Sequence, residues 1–94
     1  IHTMRNLMIA LGTIGVKPGC TILSIGAVPF DLASGETGSP FFTTISEGSN
    51  LMYGLLPEDE TIDWWKTQPE EVKSLNFRGE HSLPHALRLF NKFI

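Results

Sequence analysis

One cysteine, seven basic side chains and no long apolar run set the first limits on this 94-residue chain. A lone Cys20 excludes an internal disulfide and any zinc site built from several cysteines. It stands between two strand-like runs with no histidine beside it in sequence, the setting of a small apolar core residue rather than a nucleophile. The apolar stretch Thr21–Phe30 is interrupted and far short of the ~20 residues that cross a bilayer. The opening IHTMRN lacks the hydrophobic region of a signal peptide, so a cytoplasmic protein is expected. Seven Lys and Arg stand against ten Asp and Glu, for a net charge of −3. The basic residues are scattered from Arg5 to Lys92. A bulk electrostatic grip on nucleic acid is therefore not expected, and binding to DNA or RNA should be weak. Internal repeats and low-complexity tracts are also missing.

What the chain does have is enough for one small domain, residues 1–94. Its 41% hydrophobic content and two tryptophans support a modest core. A domain of this size buries roughly 60–65% of its unfolded surface. The organising stretch is NLMIALGTIGVKPGCTILSIGAVPFD, from Asn6 to Asp31. Leu7–Leu11 and Thr21–Phe30 read as strands, apolar beyond simple alternation, as strands covered on both faces are. Gly12, Gly15, Pro18 and Gly19 punctuate the loop between them. Asp31–Pro40, dense in Gly and Ser, is a turn leading to a third strand over Phe41–Ser46. Neither connection is long enough for a crossover helix, so the three strands form an antiparallel meander.

The second half reads as helical. Glu47–Leu56 is a loop with apolar anchors. Pro57 opens a helix whose first turn carries three acids, favourable against the helix dipole, and which ends near Gln68. Pro69 starts a short helix through Phe77. Ser82 caps a final amphipathic helix bearing Ala86, Leu87, Leu89, Phe90, Phe93 and Ile94. Trp64 and Trp65 could stack on bases, or divide into one core and one partly exposed residue. Asp59, Glu60 and Asp63 could hold a cation, or form a solvated helix turn. His85 reads as a surface residue.

Three segments in order resemble the DEDD-type 3′–5′ exonucleases, in particular the phage and prophage branch that includes exonuclease VIII-like proteins. That branch begins approximately N-L-M-I-D-L-E-T-x-G-x-x-P-G and continues I-L-S-I-G-A-V-x-F-D. Here Asn6–Ile9 is followed by Ala10, Leu11, Gly12 and Thr13, and later by Ile22–Ala27 and Phe30-Asp31. The branch's D-T-I-x-W-W-x-x-Q matches Glu60–Gln68. Its closing helix matches Leu83–Phe93. The similarity covers Asn6 to Ile94. It implies an α+β fold, a partial ribonuclease H-like architecture with a three-stranded antiparallel meander and two to three helices.

The resemblance also implies a chemistry that this chain departs from. Such exonucleases use two Mg²⁺ or Mn²⁺ ions to orient water and stabilise the departing oxygen. Hard cations want carboxylate oxygens, and the family supplies two of them from alternate positions of the first strand. Ala10 and Gly12 occupy those metal-ligand positions, so neither acid is retained. The family's third Asp, catalytic His and fourth Asp follow the helix that ends here at Ile94, and His81 and His85 do not match that His. No catalytic residue, metal ligand or cofactor is therefore assigned. Thr13 and Ile14 match positions that pack against the terminal nucleotide, or are simply loop residues.

Two functions follow. One is a catalytically inactive, exonuclease-derived phage or prophage protein that binds a protein or nucleic-acid partner. The other is an N-terminal portion, or an inactivated form, of a Mg-dependent 3′–5′ exonuclease acting on DNA or RNA. In the fold that the chain resembles, a fourth strand after the last helix would cover the outer side of the first strand. Its lack leaves Leu7–Leu11 as a bare apolar edge and part of the Leu87/Phe90/Ile94 stripe uncovered. A homodimer, or another protein partner, is expected on the Leu7–Leu11 edge or on the last helix, with no membrane association.

Overall fold

The computed structural model describes residues 6–94, so Arg5 and the residues before it lie outside the described part. The fold is α+β, a three-stranded antiparallel sheet with four helices, consistent with a partial ribonuclease H-like fold. Strands β1 (Asn6–Ile14), β2 (Thr21–Phe30) and β3 (Phe41–Thr44) lie side by side in sequence order. Helices α1 (Glu47–Met52), α2 (Asp59–Lys66), α3 (Glu70–Asn76) and α4 (Leu83–Phe93) follow. Among the described residues, no helix is long and apolar enough to cross a membrane.

Strand β2 is the centre, and its sequence shows why. Leu23, Ser24, Ile25, Ala27 and Pro29 are buried, because helices cover it and strands flank it. Ile25 packs with Ile45, Leu83 and Ala86 beneath α4. Leu23 packs instead with Ile14 and Trp65 beneath α2. The switch comes at an irregularity in the β1–β2 ladder between Gly12 and Thr13, where Ser24 pairs with Gly12 but Ile22 pairs with Thr13. One extra residue on β2 turns Leu23 toward the second cluster, as a bulge re-aims a side chain.

Four expectations need correction. Leu7–Leu11 was expected to be covered on both faces, but Met8, Ile9, Ala10 and Leu11 are exposed, on a strand that lies at the edge of the sheet as the resemblance led us to expect. An apolar run reports β-propensity and does not say which layers are present to cover it. The strand is also longer, reaching Ile14, because Gly12 and Thr13 stay in the ladder. Strand β3 stops at Thr44; beyond it Ile45 N–H donates to the Leu23 carbonyl at 2.8 Å and Ile45 bridges to His81 in parallel. The expected loop over Glu47–Leu56 contains α1, raising the helices from two or three to four. Gly48 masks its helical pattern. What holds this single-turn helix is side-chain bonding: Ser46 Oγ caps Ser49 N–H, and Asn50 is fully buried. Asn50 accepts from Ile22 N–H and donates to the carbonyls of Ile22 and Ser46, each at 2.9 Å.

The remaining helices begin and end for legible reasons. Helix α2 runs to Lys66, ending two residues earlier than the sequence suggested. Pro69 sits at the N-cap of α3 rather than inside its first turn. Ser82 is the N-cap of α4, accepting from His85 N–H, as expected. His85 lies exposed, while Leu83 and Ala86 are buried.

Candidate functional site

The chemistry-bearing residues of the sequence converge on the C-terminal half of β1. Ala10 is exposed and opposite Gly26, so its methyl group stands over open sheet. Gly12 is half-buried and opposite Ser24. Ser24 Oγ donates to Asn76 Oδ1 at 2.7 Å, and Asn76 Nδ2 donates in turn to the Val72 carbonyl at 2.8 Å. This pair fills the space above Gly12. A Cβ at position 12 would run into both Ser24 Oγ and Asn76 Oδ1. Glycine is favoured there by close approach, not by backbone angle, since a larger residue enters only if that side-chain pair shifts. Asn76 closes α3 from within, and nothing local in the sequence announced its partnership with Ser24, 52 residues away.

Thr13 and Ile14, the candidate nucleotide contacts, have other engagements. Thr13 Oγ1 donates to the Gly15 carbonyl at 2.8 Å. The Thr13 carbonyl accepts the indole N–H of Trp65 at 2.8 Å. Ile14 is buried against Leu23 and Trp65. The tryptophan pair divides as one core and one partly exposed residue: Trp65 is buried and Trp64 is 53% exposed.

Glu58 ties this end of β1 to α2. Its Oε2 accepts the N–H groups of Val16 and Lys17, both at 3.1 Å, and its own N–H donates to the Ile14 carbonyl at 2.8 Å. Gly15 makes room for that carboxylate, since a Cβ there would strike Glu58 Oε2 and Cys20 Cβ. Sequence reasoning counted Glu58 among the acids of a helix start. Its reach back to a loop 42 residues earlier could not be read from spacing.

Two hollows flank the Trp65 indole. One, of about 530 Å³, is bounded by Leu11, Thr13, Glu58, Glu60, Trp64 and Trp65 and, among the described residues, holds no Lys or Arg in its lining. The other, of about 340 Å³, is walled by Ile14, Leu51, Ile62, Trp65 and Phe77 with Lys66 and Lys73 at its rim. Those lysines already pair with Asp63 and Glu70 on the turn before them. Asp59, Glu60 and Asp63 form no metal-ligand cluster: among the described residues, no three His, Cys, Asp or Glu side chains are so grouped.

The family model for the 3'-5' exoribonuclease Rv2179c-like domain matches residues 5–94. The chain belongs to that family. Membership accords with the α+β sheet and with the exonuclease relationship drawn from the segments around Gly12, Trp64 and Leu87. No curated protein and no solved structure matches the chain. Within this Rv2179c-like domain, β1 thus presents a methyl group, a glycine under an Ser24–Asn76 lid, and an acidic groove at its far end.

Proposed function

We propose that this Rv2179c-like domain is a non-catalytic, exonuclease-derived protein of phage or prophage origin. It acts in the cytoplasm by binding a protein partner along the outer edge of β1. The observation that carries this reading is the closed space at position 12. Two-metal phosphodiester hydrolysis needs carboxylates converging on one ion pair. Ala10 and Gly12 hold the places that the exonuclease resemblance gives to two of them. At Gly12 the vacancy is filled by Ser24 and Asn76, so the site is repacked around the loss. Partner binding is supported by the exposure of Met8, Ile9 and Leu11 on a strand at the edge of the sheet. Unpaired strand edges recruit further strands.

The test is a 3′-labelled single-stranded or overhanging RNA, and its DNA equivalent, incubated with pure protein and Mg²⁺ or Mn²⁺. No shortening is expected. Shortening that EDTA abolishes would support the second reading, an N-terminal portion of a working Mg-dependent exonuclease, which the family match over residues 5–94 favours. Fluorescence anisotropy at ~150 mM salt should show no sub-micromolar binding to either nucleic acid; non-specific binders sit at about 10⁻⁴–10⁻⁶ M.

A further inference from the structure

We propose that the hollow between Trp65 and the lysines of α2 and α3 binds a small organic monoanion. Its ligand is an aromatic carboxylate whose ring lies against Trp65 and Phe77 and whose carboxylate meets the Lys66 and Lys73 ammoniums. The site is separate from the β1 edge and does not depend on how that edge is used.

Three helices wall this hollow, and each brings one apolar and one charged residue a turn apart. On α1 these are Glu47 and Leu51, on α2 Ile62 and Lys66, and on α3 Lys73 with Phe77 directly after it. Residues four apart share a helix face. The Phe77 N–H donates to the Lys73 carbonyl at 2.9 Å, so the last turn of α3 carries that pairing too. Buried Ile14 and Trp65 complete the apolar lining. Trp65 and Phe77 meet at 5.3 Å with their rings 86° apart, giving one corner two aromatic walls nearly at right angles. The volume of about 340 Å³ lies at the small end of ligand pockets. Thr21 also lines it, but its hydroxyl is turned to the Leu55 carbonyl at 3.4 Å. The polar groups offered to a ligand are therefore those of the rim.

The rim sets the charge of that ligand. Lys66 and Lys73 bring two positive charges against the single negative charge of Glu47, a balance of +1. One excess positive charge suits a monoanion better than a phosphate dianion. The lysines' present partners, Asp63 and Glu70, do not line the hollow, and their side chains are 76% and 82% exposed. Exposed pairs of this kind hold their partners weakly, so a carboxylate seated in the hollow competes for both amines. Lys73 is the better placed of the two, its side chain 31% exposed against 73% for Lys66. A half-buried lysine lays its stem along apolar wall and brings a less screened ammonium to the opening.

Proton–nitrogen correlation NMR on the full chain, titrated with 1-naphthylacetate, tests this, and the unshifted remainder of each spectrum verifies folding. A Kd on the order of 0.1 mM is expected, with shifts centred on the Trp65 indole N–H and the Ile62 and Phe77 amides. The neutral 1-naphthylacetamide should bind about fivefold more weakly, and the cationic 1-naphthylmethylamine more weakly still. In the double variant Lys66→Gln, Lys73→Gln the acid and the amide should bind alike, a change that lost apolar packing would not produce. Leu51→Trp, at an exposed position, should fill the hollow and abolish binding of all three probes. Equal binding of acid and amide to the parent chain overturns the lysine rim, and an amine that binds best overturns the anionic class. Tighter binding of a nucleoside monophosphate, with the same shifts, overturns the monocarboxylate in favour of a phosphate ligand. Binding unchanged in Leu51→Trp, or no shift at the three reporters up to about 5 mM probe, overturns the site.

Discussion

The indole N–H of Trp65 donates to the backbone carbonyl of Thr13 at 2.8 Å, joining α2 to the end of β1. The same ring lies edge-on to Phe77 at 5.3 Å and forms the partition between the two hollows. Trp65→Phe keeps most of the apolar body but strands a half-buried acceptor, the Thr13 carbonyl. It should cost about 1–3 kcal/mol, read from urea unfolding, with the slope unchanged.

Asn50 should be the most sensitive polar residue. It makes three side-chain bonds to backbone while fully buried, and these bonds are what fix α1 against β2. Asn50→Asp keeps the shape and loses the two donors. A loss of about 2–4 kcal/mol is expected by chemical denaturation, together with faster amide exchange at Ile22 and Ser49.

Thr43 points the other way. Its hydroxyl is buried and has no hydrogen-bond partner. Thr43→Val removes the unpaired group at nearly constant volume. Stability should rise by about 1 kcal/mol, seen as a later unfolding midpoint.

Gly12→Ala should destabilise by about 1–3 kcal/mol, because the new methyl meets the Ser24–Asn76 pair. Adding Ser24→Gly should recover part of that loss, a coupling that a double-mutant cycle measures directly. Ala10→Asp together with Gly12→Glu should restore no cleavage of labelled RNA.

Much of the architecture was legible in the residues. Glycine and proline marked the turns, a run apolar beyond simple alternation marked β2, and Ser82 marked the start of α4. Tryptophan placement was legible too, since two adjacent residues on a helix point in different directions. What escaped was whatever depends on distant partners. Helix α1 exists because Asn50 reaches β2, which no local propensity encodes. The resemblance marked the outer edge of Leu7–Leu11 as bare, but the exposure of its faces depends on which layers the fold sets beside it, and its composition matches a buried strand. Within the candidate site, Ala10, Gly12, Thr13 and Ile14 were singled out by motif logic. Ser24, Glu58 and Asn76 were not, because each acts through a bond spanning more than forty residues to another element or loop.

The lid over Gly12 also constrains the order in which this sequence can change. Any larger residue at position 12 is penalised while Ser24 and Asn76 keep their places. A side chain can be added at this strand glycine only together with, or after, a shift in the hydrogen-bonded pair above it.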